Sequence, residues 1–365
     1  MIKILGGIIA GFAVFIILIF AISACSKKTY TYETLEAKMV DITKGYYQEN
    51  PEELPKEDKD SKTFTLKKMI TSGYLDEVVK LFDNEKAKCD GSVTVTNTNG
   101  YYLYTPYLSC SGVTKEDYES QYLVDKIIED NLVEEGIGLY EVGDKYIFKG
   151  ETKNNFVKFS DSEKLFRIIG INEDGTLRLF EVSGLKRIVW DNRYNEERGY
   201  ASGFNEYYLN SLDSIIKQKL DEYYNDTTTW TDDMKAYMLT QDVCIGKRNA
   251  EDQSRDGVIE CSRVVEGQVF ALLRTDEFLS ASLDATCENT LDKSCKNYNW
   301  FNTFNTSIWT SIADATTSHR VFKLSTDIIL STATSPGGAN VVINITDKAV
   351  YSGGTGTETD PYVFR

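Results

Sequence analysis

Histidine is almost missing from this chain: His319 is the only one in 365 residues. That excludes a histidine-rich metal centre and leaves a serine-hydrolase triad with a single base to draw on. The G-x-S-x-G elbow such a triad needs is also missing, because Gly199, Ser202 and Gly203 have different spacing. His319, flanked by Ser318 and Arg320, therefore reads as a surface or loop residue. No C-x-x-C occurs, so paired-cysteine zinc ligation has no support. Neither the phosphate-binding P-loop nor the dinucleotide glycine motif is present. Basic residues are in deficit, 40 against 56 acids, for a formal charge of −16, which argues against nucleic acid or anionic lipid as a partner. The 56 acids single out no pair for carboxylate catalysis. No catalytic residue, cofactor or metal is expected.

What the chain does have is one long apolar run. Residues 4–24 are 21 consecutive uncharged positions ending at Ile22, Ser23 and Ala24, immediately before Cys25. As a helix they would reach about 30 Å, the thickness of a bilayer's hydrocarbon core. The segment reads as a membrane anchor over residues 1–28, in one of two forms. It is retained as a transmembrane helix, or it is a secretory signal behind Lys3, cleaved before a lipid-modified Cys25 in a lipobox-like Ile-Ser-Ala-Cys. Both tether the rest of the chain to a membrane.

The other six cysteines, Cys89, Cys110, Cys244, Cys261, Cys287 and Cys295, are even in number and locally spaced. This suggests disulfides and an extracellular location, and leaves no candidate thiol nucleophile. One pairing follows from geometry. Asn99-Gly100 is a strong two-residue hairpin signal between two β-rich runs. With that loop, Cys89 faces Cys110 at a non-hydrogen-bonded pair, where side chains approach most closely. The same register sets Pro106 where its missing N–H leaves the ladder intact. It also sorts Val93, Val95, Tyr104 and Leu108 to one face and Thr94, Thr96 and Thr105 to the other. Cys244 with Cys261 and Cys287 with Cys295 are pairings by proximity alone.

Hydrophobic residues at 41% and aromatics at 12% provide core enough for two domains. Tyr32, Leu35, Met39, Ile42 and Tyr46 have helical spacing, stopped by Asn50-Pro51. An acidic loop follows over 51–62, then a short helix over 65–71 with Gly73 as its stop. Residues 113–138 read as an acidic, partly helical connector, with Leu123, Ile127 and Ile128 on one face. From Leu139 come alternating strands at 139–142, 146–150, 155–159, 165–171, 177–180 and 188–190, an antiparallel meander. A helix is expected over 205–224, then a loop-rich cysteine segment, then strands at 321–324, 341–345 and 362–364.

A hydrophobic N-terminal segment, an amphipathic helix and a small disulfide-bonded sheet resemble type IV pilins. They resemble more closely the pilin-like N-terminal regions of anchored Bacillota surface proteins. The matching stretches are Tyr32–Met39, Ile70–Leu75 and Cys89–Val95. True prepilins carry a glutamate early in the apolar helix. Here Gly11-Phe12 is followed by Ala, Val, Phe and Ile, which points to an anchor and not a filament core. Residues 139–365 resemble an uncharacterised domain of Bacillota surface and secreted proteins. Asn154–Phe159, Phe166–Gly170, Trp190-Asp191 with Arg193–Asn195, Gly203–Tyr207 with Leu209-Asn210, and Gly353–Tyr362 carry that likeness. It implies a loop-rich α+β fold of the C-type-lectin/formylglycine-generating-enzyme kind, whose long loops bind ligands.

The expected organisation is an α+β protein: an anchor at 1–28, a pilin-like helix and hairpin domain at 29–112, a connector at 113–138 and a surface domain at 139–365. Tyr298, Asn299, Trp300 and Trp309 are candidate ligand-binding residues, since exposed aromatics stack on sugars or peptides. Asn172 to Thr176 with Glu181 has calcium-loop spacing, but Gly170 stands where the first acidic ligand belongs, so a β-turn is favoured. The expected function is a membrane-anchored extracellular recognition or adhesion protein with a glycan or protein ligand. The alternatives are a surface enzyme acting on wall or glycan and a pilus or pseudopilus subunit.

Overall fold

The computed structural model describes residues 29–209, 212–303 and 307–365. The apolar run 4–24, Cys25 and the anchor assigned to 1–28 lie outside the described residues. Among the described residues no helix is long and apolar enough to cross a membrane. Helices and sheets are both present, as an α+β protein requires. Contacts divide the described chain into two units: residues 29–49, 64–93 and 106–119, and residues 50–63, 94–105 and 120–365.

In the first unit the expected helix is α1 (Tyr32–Glu49). Its buried stripe is Leu35, Glu36, Met39, Thr43 and Tyr47, so the face drifts one position from Ile42 and Tyr46 in the last turns. Thr43 tolerates burial because its hydroxyl donates to the Met39 carbonyl at 2.8 Å. The Glu36 carboxylate accepts from the Tyr118 hydroxyl at 3.0 Å. The short helix α2 (Leu66–Thr71) is capped by Thr65, whose hydroxyl accepts from the Lys68 N–H. It is stopped at Gly73, where φ is +77°. Another short helix, α3 (Val78–Leu81), follows.

Strands β1 (Ser61–Thr65), β2 (Lys88–Thr98), β3 (Tyr101–Ser111) and β4 (Tyr118–Glu119) form one sheet in that order. Strand β1 and a 3-10 turn at Pro51–Glu53 replace part of the loop expected over 51–62. Asn99 and Gly100 take the left-handed φ values, 54° and 87°, that a two-residue hairpin needs. The Cys89–Cys110 disulfide forms with a Cα–Cα distance of 4.1 Å. Val93, Val95 and Leu108 are buried on their shared face. On the opposite face Leu103 and Thr105 are buried too, which the threonine-rich pattern did not signal.

The long segment 120–365 of the second unit begins with α4 (Leu123–Asn131), inside the stretch expected as a connector. Leu123 and Ile127 belong to the same continuous core as the rest of this unit. The meander is β5 (Gly138–Val142), β6 (Lys145–Lys149), β7 (Phe156–Phe159), β8 (Phe166–Ile171) and β9 (Leu177–Glu181). A further strand, β10 (Leu185–Ile188), lies earlier than 188–190, and Trp190 is in the loop beyond it. The expected helix over 205–224 is shortened. Its first part is a tiny ladder, β11 (Tyr208–Leu209) with β12 (Leu212–Asp213), and the helix proper is α5 (Ile215–Asn225), capped by Ser214. A serine hydroxyl that accepts the first free N–H groups competes with continuing the helix upstream.

The remaining elements are α6 (Asp232–Lys235), β13 (Met238–Leu239), β14 (Gln241–Cys244), β15 (Lys247–Arg248), β16 (Val264–Gln268) and α7 (Thr275–Ala281). The last strands are β17 (Ile308–Asp314), β18 (Arg320–Leu324), β19 (Ile328–Thr332), β20 (Gly337–Ala339), β21 (Val342–Ile345), β22 (Tyr351–Gly353) and β23 (Tyr362–Phe364). Disulfides Cys244–Cys261 and Cys287–Cys295 staple the loop-rich segment.

One sheet runs β13-β21-β9-β8-β7-β23-β22, with β6 also on β8 and β5 on β6. The other runs β10-β20-β17-β18-β19, with β15 on β17. One edge of β8 is shared: Phe166 and Arg167 pair with β7, Gly170 and Ile171 with β6. Where β6 and β7 diverge, Asn155 bridges the gap. Its main-chain carbonyl accepts from the Ile168 N–H at 2.7 Å, and its amide donates to the Ile168 carbonyl at 2.9 Å. The split positions the site described next.

Candidate functional site

Three clefts of roughly similar volume adjoin one another on the second unit. The central one, ≈ 760 Å³, has Arg167, Phe156 and Trp300 in its wall, with Glu151, Lys153 and Glu358 among its charged residues. A second, ≈ 720 Å³, contains Tyr298, Asp284 and Lys296, and shares Glu151 and Asn302 with the first. The third, ≈ 690 Å³, contains Glu163, Lys164, Glu181 and Tyr223, and shares Val182 and Glu358 with the central cleft. The shared residues set the three clefts side by side in a row, hereafter the groove, with hydroxyls, carboxamides and charges among their lining side chains.

The central cleft is built by segments distant in sequence. The loop leaving β6 contributes Glu151, Thr152 and Lys153, and the start of β8 contributes Arg167. A 3-10 turn at Trp300–Thr303 supplies the aromatic wall, and the glycine-rich loop before β23 supplies Thr357, Glu358 and Thr359. That last loop is tightly seated. Gly356 has φ +78°, and a Cβ there would lie 2.5 Å from the Asn154 carbonyl oxygen and 2.3 Å from the Tyr362 ring. Glycine is what lets its carbonyl accept from the Phe156 N–H at 2.8 Å.

Arg167 is 3% exposed, in a strand buried throughout. Its Nε and Nη2 donate to Asn155 Oδ1 at 2.8 and 2.6 Å, and Nη2 also to the Thr152 carbonyl at 2.6 Å. Nη1 donates to the Trp300 carbonyl at 3.1 Å and reaches Thr303 Oγ1 at 3.5 Å. The guanidinium lies 4.5 Å from the ring centroids of both Phe156 and Trp300, an arrangement suited to its weakly hydrated planar cation. Burial pushes its pKa down to about 9, against which the nearby Glu358 carboxylate pulls upward.

At the end of the groove Glu181 is 1% exposed. Its Oε1 accepts from Lys164 Nζ and from the Tyr223 hydroxyl, both at 2.7 Å, and Lys164 also donates to the Tyr223 oxygen at 2.7 Å. Its Oε2 is buried without a hydrogen-bond partner. Burial holds the carboxyl above its usual range, and Lys164 and Tyr223 draw it part of the way back. A carboxylate tied on one oxygen and sealed on the other shapes the cleft but is poorly placed to reach a substrate.

The structure brings two of the four sequence-chosen residues to this groove. Tyr298 is 59% exposed and lines the second cleft. Trp300 is in the wall of the central cleft although only 1% exposed, with Nε1 donating to the Phe148 carbonyl at 3.1 Å. Asn299 is fully buried, and its amide donates to the Phe278 and Cys295 carbonyls. Trp309 is fully buried, donates to the Ile188 carbonyl at 2.8 Å and carries the Lys323 ammonium 3.7 Å from its ring centroid. Neither lines the three clefts.

Other sequence readings also find their places. Asn172 to Thr176 is the turn joining β8 to β9, with Gly175 at φ +81° and Asp174 Oδ1 accepting from the Thr176 N–H at 3.0 Å. His319 is in a loop but not at the surface: it is 9% exposed, 3.1 Å from Arg198 Nη1, and pushed below its usual pKa by burial with help from Arg198 and Arg320. Asp191 is a buried loop anchor that accepts from the Phe204 N–H and from Arg193. Among the described residues no cluster of His, Cys, Asp and Glu could hold a metal ion.

Arg167, Lys164, Tyr223 and Glu358 were not singled out from sequence, and Glu181 was weighed only as a calcium-loop ligand. For one of them a signal existed: Arg167 is the only charge in the apolar strand run Phe166–Ile171, where burial is costly unless the group is held. Comparison with known protein families, curated proteins and solved structures finds no match to this chain.

Proposed function

We propose that the protein is a surface-recognition module: tethered by residues 4–24 outside the cell, it binds a saccharide chain along the groove of the second unit. The observation that carries this reading is the row of three adjoining clefts linked by shared lining residues, from Tyr298 to Tyr223. A chain of sugar units needs such length, hydrogen-bonding groups along it and a rigid scaffold behind it. The three disulfides support an oxidising, extracellular setting. The pilin-like likeness of the N-terminal region supports presentation from a membrane, and the protein would then act as an adhesin.

The reading is tested with full-length protein in detergent micelles against a panel of immobilised glycans. Saccharide binding that weakens at least about tenfold, about 1.4 kcal/mol, in Tyr298→Ala or Lys153→Ala is the expected result. Both side chains are exposed, so folding is preserved. Absence of glycan binding, or binding indifferent to both changes, contradicts it.

A second reading, an enzyme acting on wall or glycan, is favoured by one observation. Glu163 and Glu358 line the same cleft, and glycoside hydrolysis uses two carboxyl groups across the scissile bond. Shortening of a bound oligosaccharide, lost in Glu163→Gln or Glu358→Gln, would establish it.

A further inference from the structure

Three arginines are buried among the described residues, and they differ in one respect. Arg178 pairs with the Glu277 carboxylate, and Arg248 with Glu260 at 2.5 Å. Arg167 forms no ion pair with any carboxylate among the described residues. Its hydrogen-bond acceptors are the Asn155 carboxamide, the Thr152 and Trp300 carbonyls and the Thr303 hydroxyl, all neutral. Neutral acceptors satisfy its N–H groups but leave the charge without a carboxylate in direct contact, Glu358 acting on it only from a distance. A buried cation in that condition is costly. Arg167 also lines a large open cleft, whereas Arg178 lines a cavity of only ≈ 40 Å³.

We propose that the central cleft is a subsite for a single oxyanion, a carboxylate or phosphate borne by the saccharide, with Arg167 as the buried counter-charge and Lys153 at the rim. This deepens, and rests on, the saccharide reading of the groove. The contact between Nη1 and Thr303 Oγ1, at 3.5 Å, is the longest of Arg167's hydrogen bonds and the one an incoming oxygen can most readily replace. The Phe156 and Trp300 ring centroids both lie 4.5 Å from the guanidinium carbon, and with its hydrogen bonds they hold the charge in place before a ligand arrives.

The rest of the cleft narrows the ligand class. Glu151 and Glu358 share its wall, and the chain carries a net charge of −16. A dense polyanion is repelled by both. A chain with an isolated acidic group among hydroxyl-bearing units meets one buried cation flanked by hydrogen-bonding groups. Glu358, exposed and close enough to act on Arg167, is the internal anion that such a ligand must outcompete.

The test is NMR on full-length protein in micelles, following the Arg167 Nε–H and Trp300 indole N–H signals. Cellobiouronate, a disaccharide with a single carboxylate, its neutral methyl ester and inorganic phosphate are titrated at constant ionic strength. Saturable shifts of both signals by cellobiouronate or phosphate are expected, the two probes separating a carboxylate from a phosphate source. The ester should bind at least about tenfold more weakly than the acid, about 1.4 kcal/mol. Glu358→Gln, an exposed change that spares folding, should tighten the acid several-fold and leave the ester unchanged. Equal affinity for acid and ester overturns the oxyanion subsite while the saccharide groove stands. Binding by none of the probes, in native protein or in Glu358→Gln, overturns the subsite whatever the glycan panel shows.

Discussion

Arg167 shows how one residue organises its surroundings. It ties together the loop at Thr152, the carboxamide of Asn155 and the turn at Trp300, three segments the chain brings in from far apart. Arg167→Lys keeps the charge but loses the planar fork, leaving buried acceptors without donors. The expected cost is roughly 1–3 kcal/mol in urea unfolding; an unchanged midpoint would show the acceptors to be satisfied otherwise. Glu181 makes a pH-dependent contribution. Burial raises its folded pKa above the ordinary 4.5, so its neutral form is the one that folding favours. Native protein should therefore lose stability relative to Glu181→Gln as pH rises from 4.5 through the raised value. Unfolding curves at a series of pH values check this; a constant difference refutes it. Arg167 belongs to no motif and is legible only as the one charge in an otherwise apolar strand. Glu181 fits a calcium-loop spacing that the turn at Asn172–Thr176 explains, so its buried role is not legible from sequence.

Among the elements, the hairpin was the most legible, because several demands converged on one register. The turn residues, the cysteine positions, Pro106 and the valine alternation all required the same pairing, and the disulfide forms there. Replacing Cys89 and Cys110 by serine should cost roughly 3 kcal/mol, as expected for a closed loop of this size. Gly100→Ala, at φ 87°, should cost about 1 kcal/mol. Thermal or urea unfolding measures both, and a Gly100→Ala protein as stable as the native one would contradict the turn assignment. The helix expected over 205–224 was less legible. Helical spacing of Leu209 and Leu212 with the later apolar residues continued across a boundary set by the Ser214 cap. Spacing reports which residues share a face and is silent on where capping chemistry interrupts them. On α1 the buried stripe moved to Thr43 and Tyr47, because a straight helix turns 3.6 residues and not 3.5 per repeat.

At the scale of the molecule, the α+β class and most strands could be read from alternation and turn residues, but the groove could not. Its central wall joins residues near 151, 167, 300 and 358, and no local pattern encodes that meeting. Exposed aromatics were the natural search image, yet of the two tryptophans chosen one is in the cleft wall and the other in the core. Trp309→Ala should accordingly destabilise by about 3–5 kcal/mol, measurable in urea, and so cannot report on binding alone. For the same reason a useful probe must read the groove without unfolding it. The most direct is hydroxyl-radical footprinting of the full-length protein, with and without a glycan that it retains. The account predicts protection concentrated at Tyr298, Lys153 and Glu358, along the clefts. Protection elsewhere, with those three unchanged, would contradict it.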